Sequence, residues 1–232
     1  MRGILWVVLA VVWGVAAPAQ ENTRGVLTVS GEGSVEVAPD MAIITLGVQN
    51  QATTADVAMR DTSRATQGIL DRMLVFGVAQ TDLQTSRLSL SPVFDRRAND
   101  GSPPRVVGFV ASNEITVRLR DVPRVGALLD EVIQAGANTF RNLRFAVQDP
   151  GPHLDAARRA AVRDARARAA LYAEAADLKL DGLRRLSEGG QGGRPGPQFE
   201  TLALARDAVP VAPGELSISA SVELEYWVSL AN

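Results

Sequence analysis

From Phe109 to Arg120 the chain alternates: Phe109, Ala111, Ile115, Val117 and Leu119 share one parity, and Glu114, Thr116, Arg118 and Arg120 take the other. A period of two with one apolar side specifies a half-buried strand with its other face wet. Asp121-Val122-Pro123 follows as a cap and an early-turn proline, and Val125, Leu128, Leu129 and Val132 continue at helical spacing. Gly136 stops that helix, after which Leu143, Phe145 and Val147 alternate as a second strand. A strand, a helix and a strand able to pair in one sheet make an αβ layer.

The same order occurs upstream. Met41 to Gln51 is a strand with Ala42, Ile44, Leu46 and Val48 on one face. Thr53-Thr54-Ala55-Asp56 reads as a capping box. Ala58, Thr62, Ala65, Ile69, Met73 and Phe76 then follow at helical spacing up to Gly77. Gly68, inside this helix, costs about 1 kcal/mol against alanine and either marks close packing or is neutral. Leu83 to Phe94 is again a strand, with Leu88 and Leu90 on one side. The stretches 41–94 and 108–147 therefore read as a pseudo-repeat, joined by a polar hairpin loop from Asp95 to Arg105.

Before the first unit, Val26 to Val37 contains Gly31-Glu32-Gly33, which predicts a bulge or bend between two short β runs. No helix follows those glycines, so they do not make a phosphate loop. After the second unit, a helix over about His153 to Leu178 carries a stripe of Leu154, Ala157, Ala161, Ala165, Ala169, Tyr172 and Ala176. Its arginines read as a solvated face, with Asp155–Arg159 and Asp164–Arg168 as i,i+4 pairs worth about 0.2–0.5 kcal/mol each. Leu183 to Leu186 is a short strand. Gly189 to Gly214 is a long connection, with Phe199, Leu202 and Leu204 available to dock on a neighbour. Leu216 to Val228 alternates without a break and should close the sheet.

Composition bears on compartment and chemistry. Arg2, the apolar run Gly3 to Ala17 and the small-x-small triplet Ala17-Pro18-Ala19 read as a signal peptide, residues 1–19, cleaved before Gln20. That run of 15 residues is shorter than the roughly 20 a spanning helix needs. Residues 20–25 then form a flexible N-terminus, and 26–230 the folded domain. With no cysteine, disulfides, thiol catalysis and thiolate metal sites are excluded together. A net charge of −2 leaves no basic footprint for nucleic acid.

The search for site chemistry returns nothing: catalytic residues none, cofactor-binding residues none, metal ligands none. His153 is the single histidine, so a two-histidine metal site cannot be built; a serine triad would need it as base, but no Gly-x-Ser-x-Gly elbow exists. Glu223 and Glu225 share a strand face about 7 Å apart, among serines that point to solvation rather than acid–base work. Asp40, after Pro39, reads as a turn residue.

Three stretches together resemble the SIMPL-domain family of exported bacterial proteins, also called YggE-like. They are Val29-Ser30-Gly31-Glu32-Gly33 with Val37-Ala38-Pro39-Asp40, then Ala111-Ser112-Asn113-Glu114-Ile115-Thr116-Val117, and the helix Ala160 to Ala173. The resemblance implies an α+β domain in the periplasm or associated with the outer membrane. It also implies a tendency to form oligomers, ring- or channel-like in some members, surface antigenicity, and an effect on oxidative-stress tolerance. It supplies no catalytic residue. The expectation is thus an α+β fold: mixed or antiparallel sheets with packed helices, two strand-helix-strand pseudo-repeats, a long third helix and a C-terminal strand. The expected protein is a non-enzymatic periplasmic homo-oligomer with an envelope protein as a further partner, no nucleic acid, and peripheral membrane association at most. The alternative is a monomeric binding module for a small molecule, peptide or envelope protein, with Phe199–Leu204 as a lid.

Overall fold

The computed structural model describes residues 24–95, 104–189, 196–198 and 211–231. In chain order the elements are β1 (Gly25–Val37), β2 (Met41–Ala52), α1 (Ala55–Phe76), β3 (Leu83–Phe94), β4 (Val106–Leu119), α2 (Val125–Gln134), β5 (Thr139–Ala146), α3 (Gly151–Ala175), β6 (Leu178–Glu188), β7 (Gly196–Gln198) and β8 (Glu215–Leu230). They form two antiparallel sheets, one ordered β3-β4-β2-β5 and the other β1-β8-β6, with β7 also pairing β8. The fold is α+β. The leader-like residues 1–19, the tip of the hairpin loop and Phe199–Leu204 lie outside the described residues.

The first sheet interleaves the two strand-helix-strand units, so that β4 of one pairs with β2 of the other. This β-α-β-β-α-β order is that of a split βαβ, or ferredoxin-like, layer. Its core is the set that the alternation and helical spacing mark out. Ile44, Leu46 and Val48 of β2 and Ile115 and Val117 of β4 meet Ile69 and Met73 of α1 and Leu128 and Val132 of α2.

The ends of these helices differ from expectation. The N-cap of α1 is Thr54, not Thr53; its hydroxyl accepts from Val57 N–H at 3.4 Å, so Asp56 sits one position too early to complete a capping box. Asp121 makes no side-chain cap either, because a 3₁₀ turn at Val122–Arg124 intervenes before α2. Gly77 does end α1 in the left-handed region, at φ 101°. Gly68 is exposed, and a Cβ there would meet nothing closer than Ala135 O at 3.9 Å, so close packing is not its role. Leu88 and Leu90 remain 58% and 42% exposed, since β3 is an edge strand that α1 barely reaches.

In the second sheet β1 is a continuous 13-residue strand, paired with β8 from Gly25↔Val228 to Val37↔Leu216 without a register shift. The expected bulge at Gly31-Glu32-Gly33 is absent. The glycines serve close approach instead, because α3 lies directly on them through the alanine face Ala157, Ala161, Ala165, Ala169 and Ala173. Ala173, not Tyr172, completes that face; Tyr172 is 52% exposed. The helix ends at Ala175, short of Leu178, where Asp177 adopts φ 51° and turns the chain into β6. That strand runs 11 residues rather than the four expected, its irregular pairing at Gly182 and Arg185 hiding the alternation.

Candidate functional site

The motif stretches that lie far apart in sequence meet in pairs. Gly31 and Gly33 face α3, and the backbone of β1 is finished by that helix: Glu32 N–H donates to Asp164 Oδ2 at 2.9 Å, and Arg168 Nη1 donates to Ser30 O at 3.1 Å. Asp164 and Arg168 also pair with each other at 2.8 Å. The pair expected as helix-surface decoration therefore occupies the hydrogen-bonding groups of an edge strand, which a bare edge would leave open to pairing with another chain. Asp155 pairs with Arg158 at 3.1 Å, not with Arg159, because Glu188 of β6 holds Arg158 in place at 2.8 Å.

A second junction gathers at one end of the first sheet. Asp40 Oδ1 accepts from Gln148 N–H at 2.7 Å, Arg120 Nη1 donates to Gln148 Oε1 at 2.7 Å, and Arg120 grips Asp82 through Nε at 2.8 Å and Nη2 at 2.9 Å. The Arg120 hydrogen bonds hold the Asp82 carboxyl below its ordinary range, outweighing the burial that raises it, and the charges of Arg120 and Arg118 add to the effect. Asp40 is thus a turn residue with a defined partner. Asp82 was not marked in the sequence: a buried carboxylate in a 3₁₀ turn between helix and strand carries no periodic signal.

The third cluster lies on the helix-free face of the first sheet. Glu114, only 7% exposed, accepts from Arg141 Nε at 3.0 Å, and Arg87 Nε approaches it at 3.9 Å. Gly47 stands between the two sides in the sheet, opposite Glu114 on β4 and Thr139 on β5. The alternation placed Glu114 on this face; the partner Arg141 was hidden by the bulge that displaces it in β5.

On the helix side, Leu46, Leu129, Val132, Ile133, Phe140 and Leu143 line an apolar cavity of about 540 Å³, and Val211 and Ala212 border it. The remaining sequence candidates do not converge on these features. His153 sits in the first turn of α3 with no hydrogen bond or ion pair among the described residues. Glu225 lies between Arg184 at 3.5 Å and Arg185 at 3.7 Å, while Glu223 beside it is exposed and unpaired. Among the described residues no group of three or more histidines, aspartates or glutamates could hold a metal ion, and no helix is long and apolar enough to cross a membrane.

Two antiparallel sheets with helices packed on them, and polar clusters that hold strand backbone and charge in place, define an α+β domain. The chain belongs to the SIMPL family, described as a protein of unknown function (DUF541), whose pattern matches residues 27–226. It is 35% identical to the 26 kDa periplasmic immunogenic protein of Brucella melitensis biotype 1, covering 96% of this chain and 94% of that protein. It is 26% identical to the uncharacterized protein YggE of Escherichia coli K12, covering 94% and 87% respectively.

Proposed function

We propose that this SIMPL protein is a non-enzymatic, self-associating protein of the periplasm. The observation that carries the reading is the long β3–β4 hairpin: Leu88, Leu90, Phe94, Val106 and Val107 all lie 42–58% exposed on it. Large apolar side chains gathered on an exposed edge strand and its neighbour mark a surface that associates. The leader-like residues 1–19 and the name of the Brucella relative support the compartment. The absence of cysteine excludes thiol chemistry, and a role in oxidative-stress tolerance through envelope integrity accords with this reading. Light scattering after size exclusion, on the chain starting at Gln20 and over a hundredfold range of concentration, tests the reading. A discrete multiple of the monomer is expected; a monomer at every concentration overturns it.

One observation favours a second reading, a monomeric binding module. The cavity of about 540 Å³ falls within the roughly 300–1,000 Å³ typical of small-molecule sites. Hydrogen exchange along 199–214 with and without apolar ligands decides it: protection on ligand addition supports a binding module, and unchanged exchange across a broad panel removes it.

A further inference from the structure

Each sheet carries helices on one face only. Among the described residues α1 and α2 pack on the first sheet and α3 packs on the second, which leaves no further α-helix for the opposite faces. Those two bare faces differ in charge. On the second sheet the register sets Ser30, Glu32 and Glu36 of β1 beside Glu223, Ser221 and Ser217 of β8, while Arg184 and Arg185 at the β6 side of the same face are taken up by Glu225. Glu32, Glu36 and Glu223 are exposed, and their carboxylates have no ion pair among the described residues. On the first sheet Arg118 of β4 and Arg144 of β5 stand on either side of Ile43, both exposed and both without an ion pair. Arg87 and Arg141 extend the positive surface along the same face, sharing the buried Glu114 between them.

We propose that the acidic bare face of the β1-β8-β6 sheet docks on the arginine-bearing bare face of the β3-β4-β2-β5 sheet of a second copy of this chain. The inference rests on the self-association reading and adds to the apolar β3–β4 hairpin a second, charged contact. The charges are opposite. Small serines stand beside the glutamates, and the planar donor forks of guanidinium groups suit carboxylates. Opposed potentials of this kind set partner choice and register across an interface. Because the two faces differ, the contact is head-to-tail: a dimer still presents one free face of each kind, and association continues beyond two copies.

A charge swap tests this. The variant Glu32→Arg/Glu223→Arg makes both faces positive, and Arg118→Glu/Arg144→Glu makes both negative; all four side chains are exposed, and circular dichroism verifies that each variant folds. The wild-type chain from Gln20 should associate, at least tenfold more weakly in 0.5 M than in about 0.05 M salt. Each variant alone should lose association by at least tenfold, and an equimolar mixture of the two should regain it. Variants that assemble like the wild type overturn the assigned faces while leaving self-association standing. A wild-type chain that stays monomeric at low salt overturns both. Loss confined to the arginine variant, with the glutamate variant unaffected, assigns the arginine face to an anionic molecule other than a second copy and overturns the proposal.

Discussion

Replacing Gly31 by alanine should destabilise the protein, although alanine is the better strand residue by about 0.5–1 kcal/mol on backbone grounds alone. A Cβ at Gly31 would lie 2.3 Å from Ala161 O and 2.4 Å from Ala165 N. An ordinary contact begins at 3.4 Å, so α3 must retreat by about 1 Å along this seam. The atoms in the way are helix backbone, which cannot rotate aside as a side chain would. Overpacking of that kind costs about 1–3 kcal/mol. The retreat also stretches the bonds from Glu32 N–H to Asp164 and from Arg168 to Ser30 O, adding about 1 kcal/mol. The net expectation is a loss of about 1–3.5 kcal/mol, once the backbone gain is set against it, out of a total of about 5–15 kcal/mol. Urea unfolding of the chain from Gln20, followed by fluorescence of Trp227, its single tryptophan, reads the loss as a midpoint lower by about 0.5–2 M. Trimming the helix with Ala161→Gly should not rescue the variant, because the carbonyl oxygen stays where it is. The control is Gly68→Ala, at an exposed helix position where the new Cβ makes only an ordinary contact with Ala135 O at 3.9 Å, which should stabilise by about 0.5–1 kcal/mol. Gly31→Ala at or above wild-type stability would refute the close-approach argument.

Three further outcomes follow from the same contacts. Asp82→Asn should cost about 1–2 kcal/mol at neutral pH, the half-exposed Arg120 softening the loss. Since the folded-state pKa of Asp82 lies below its unfolded value, its contribution is complete above the ordinary carboxylate range and disappears as pH falls through the lower folded value; acid titration of stability below about pH 4 should therefore be shallower in the variant. Asp164→Ala should expose the Glu32 amide, raising its hydrogen-exchange rate at least tenfold and lowering stability by about 1–2 kcal/mol, whereas unchanged exchange at Glu32 would show that the carboxylate does not hold the edge. Thr54→Ala should cost about 1 kcal/mol by removing the acceptor for Val57 N–H, while Thr53→Ala should be neutral; the reverse order would place the cap where the sequence pattern first suggested.

What the residues disclosed in advance were the elements whose burial is periodic. The parity of Ile44, Leu46, Ile115 and Val117 and the spacing of Leu128 and Val132 named the core of the first sheet correctly, because each sits on an element packed on one side only. Gly31 and Gly33 misled, since a glycine pair in a strand looks alike whether it bends the chain or admits a helix. Only the partner tells them apart, and α3 lies more than a hundred residues away. The acid–base clusters were hidden for a related reason. Glu114 with Arg141, and Asp82 with Arg120, are pairs between separate elements, set by register and bulge rather than by spacing along one helix or strand.

The pairing of β1 with β8 has a consequence in time as well as in space. Every strand of the β3-β4-β2-β5 layer finds its neighbours between residues 41 and 146, so that layer can close as soon as this stretch is available. β1 comes first in the order of synthesis, yet Val29 must wait for Leu224, nearly two hundred residues later. Closing a loop of that length is slow and is rewarded only at the end. A nascent chain therefore carries a finished inner layer while its opening strand and the alanine helix remain without their shared sheet. A truncation before Glu215 would leave the inner layer intact but deny β1 its partner for good.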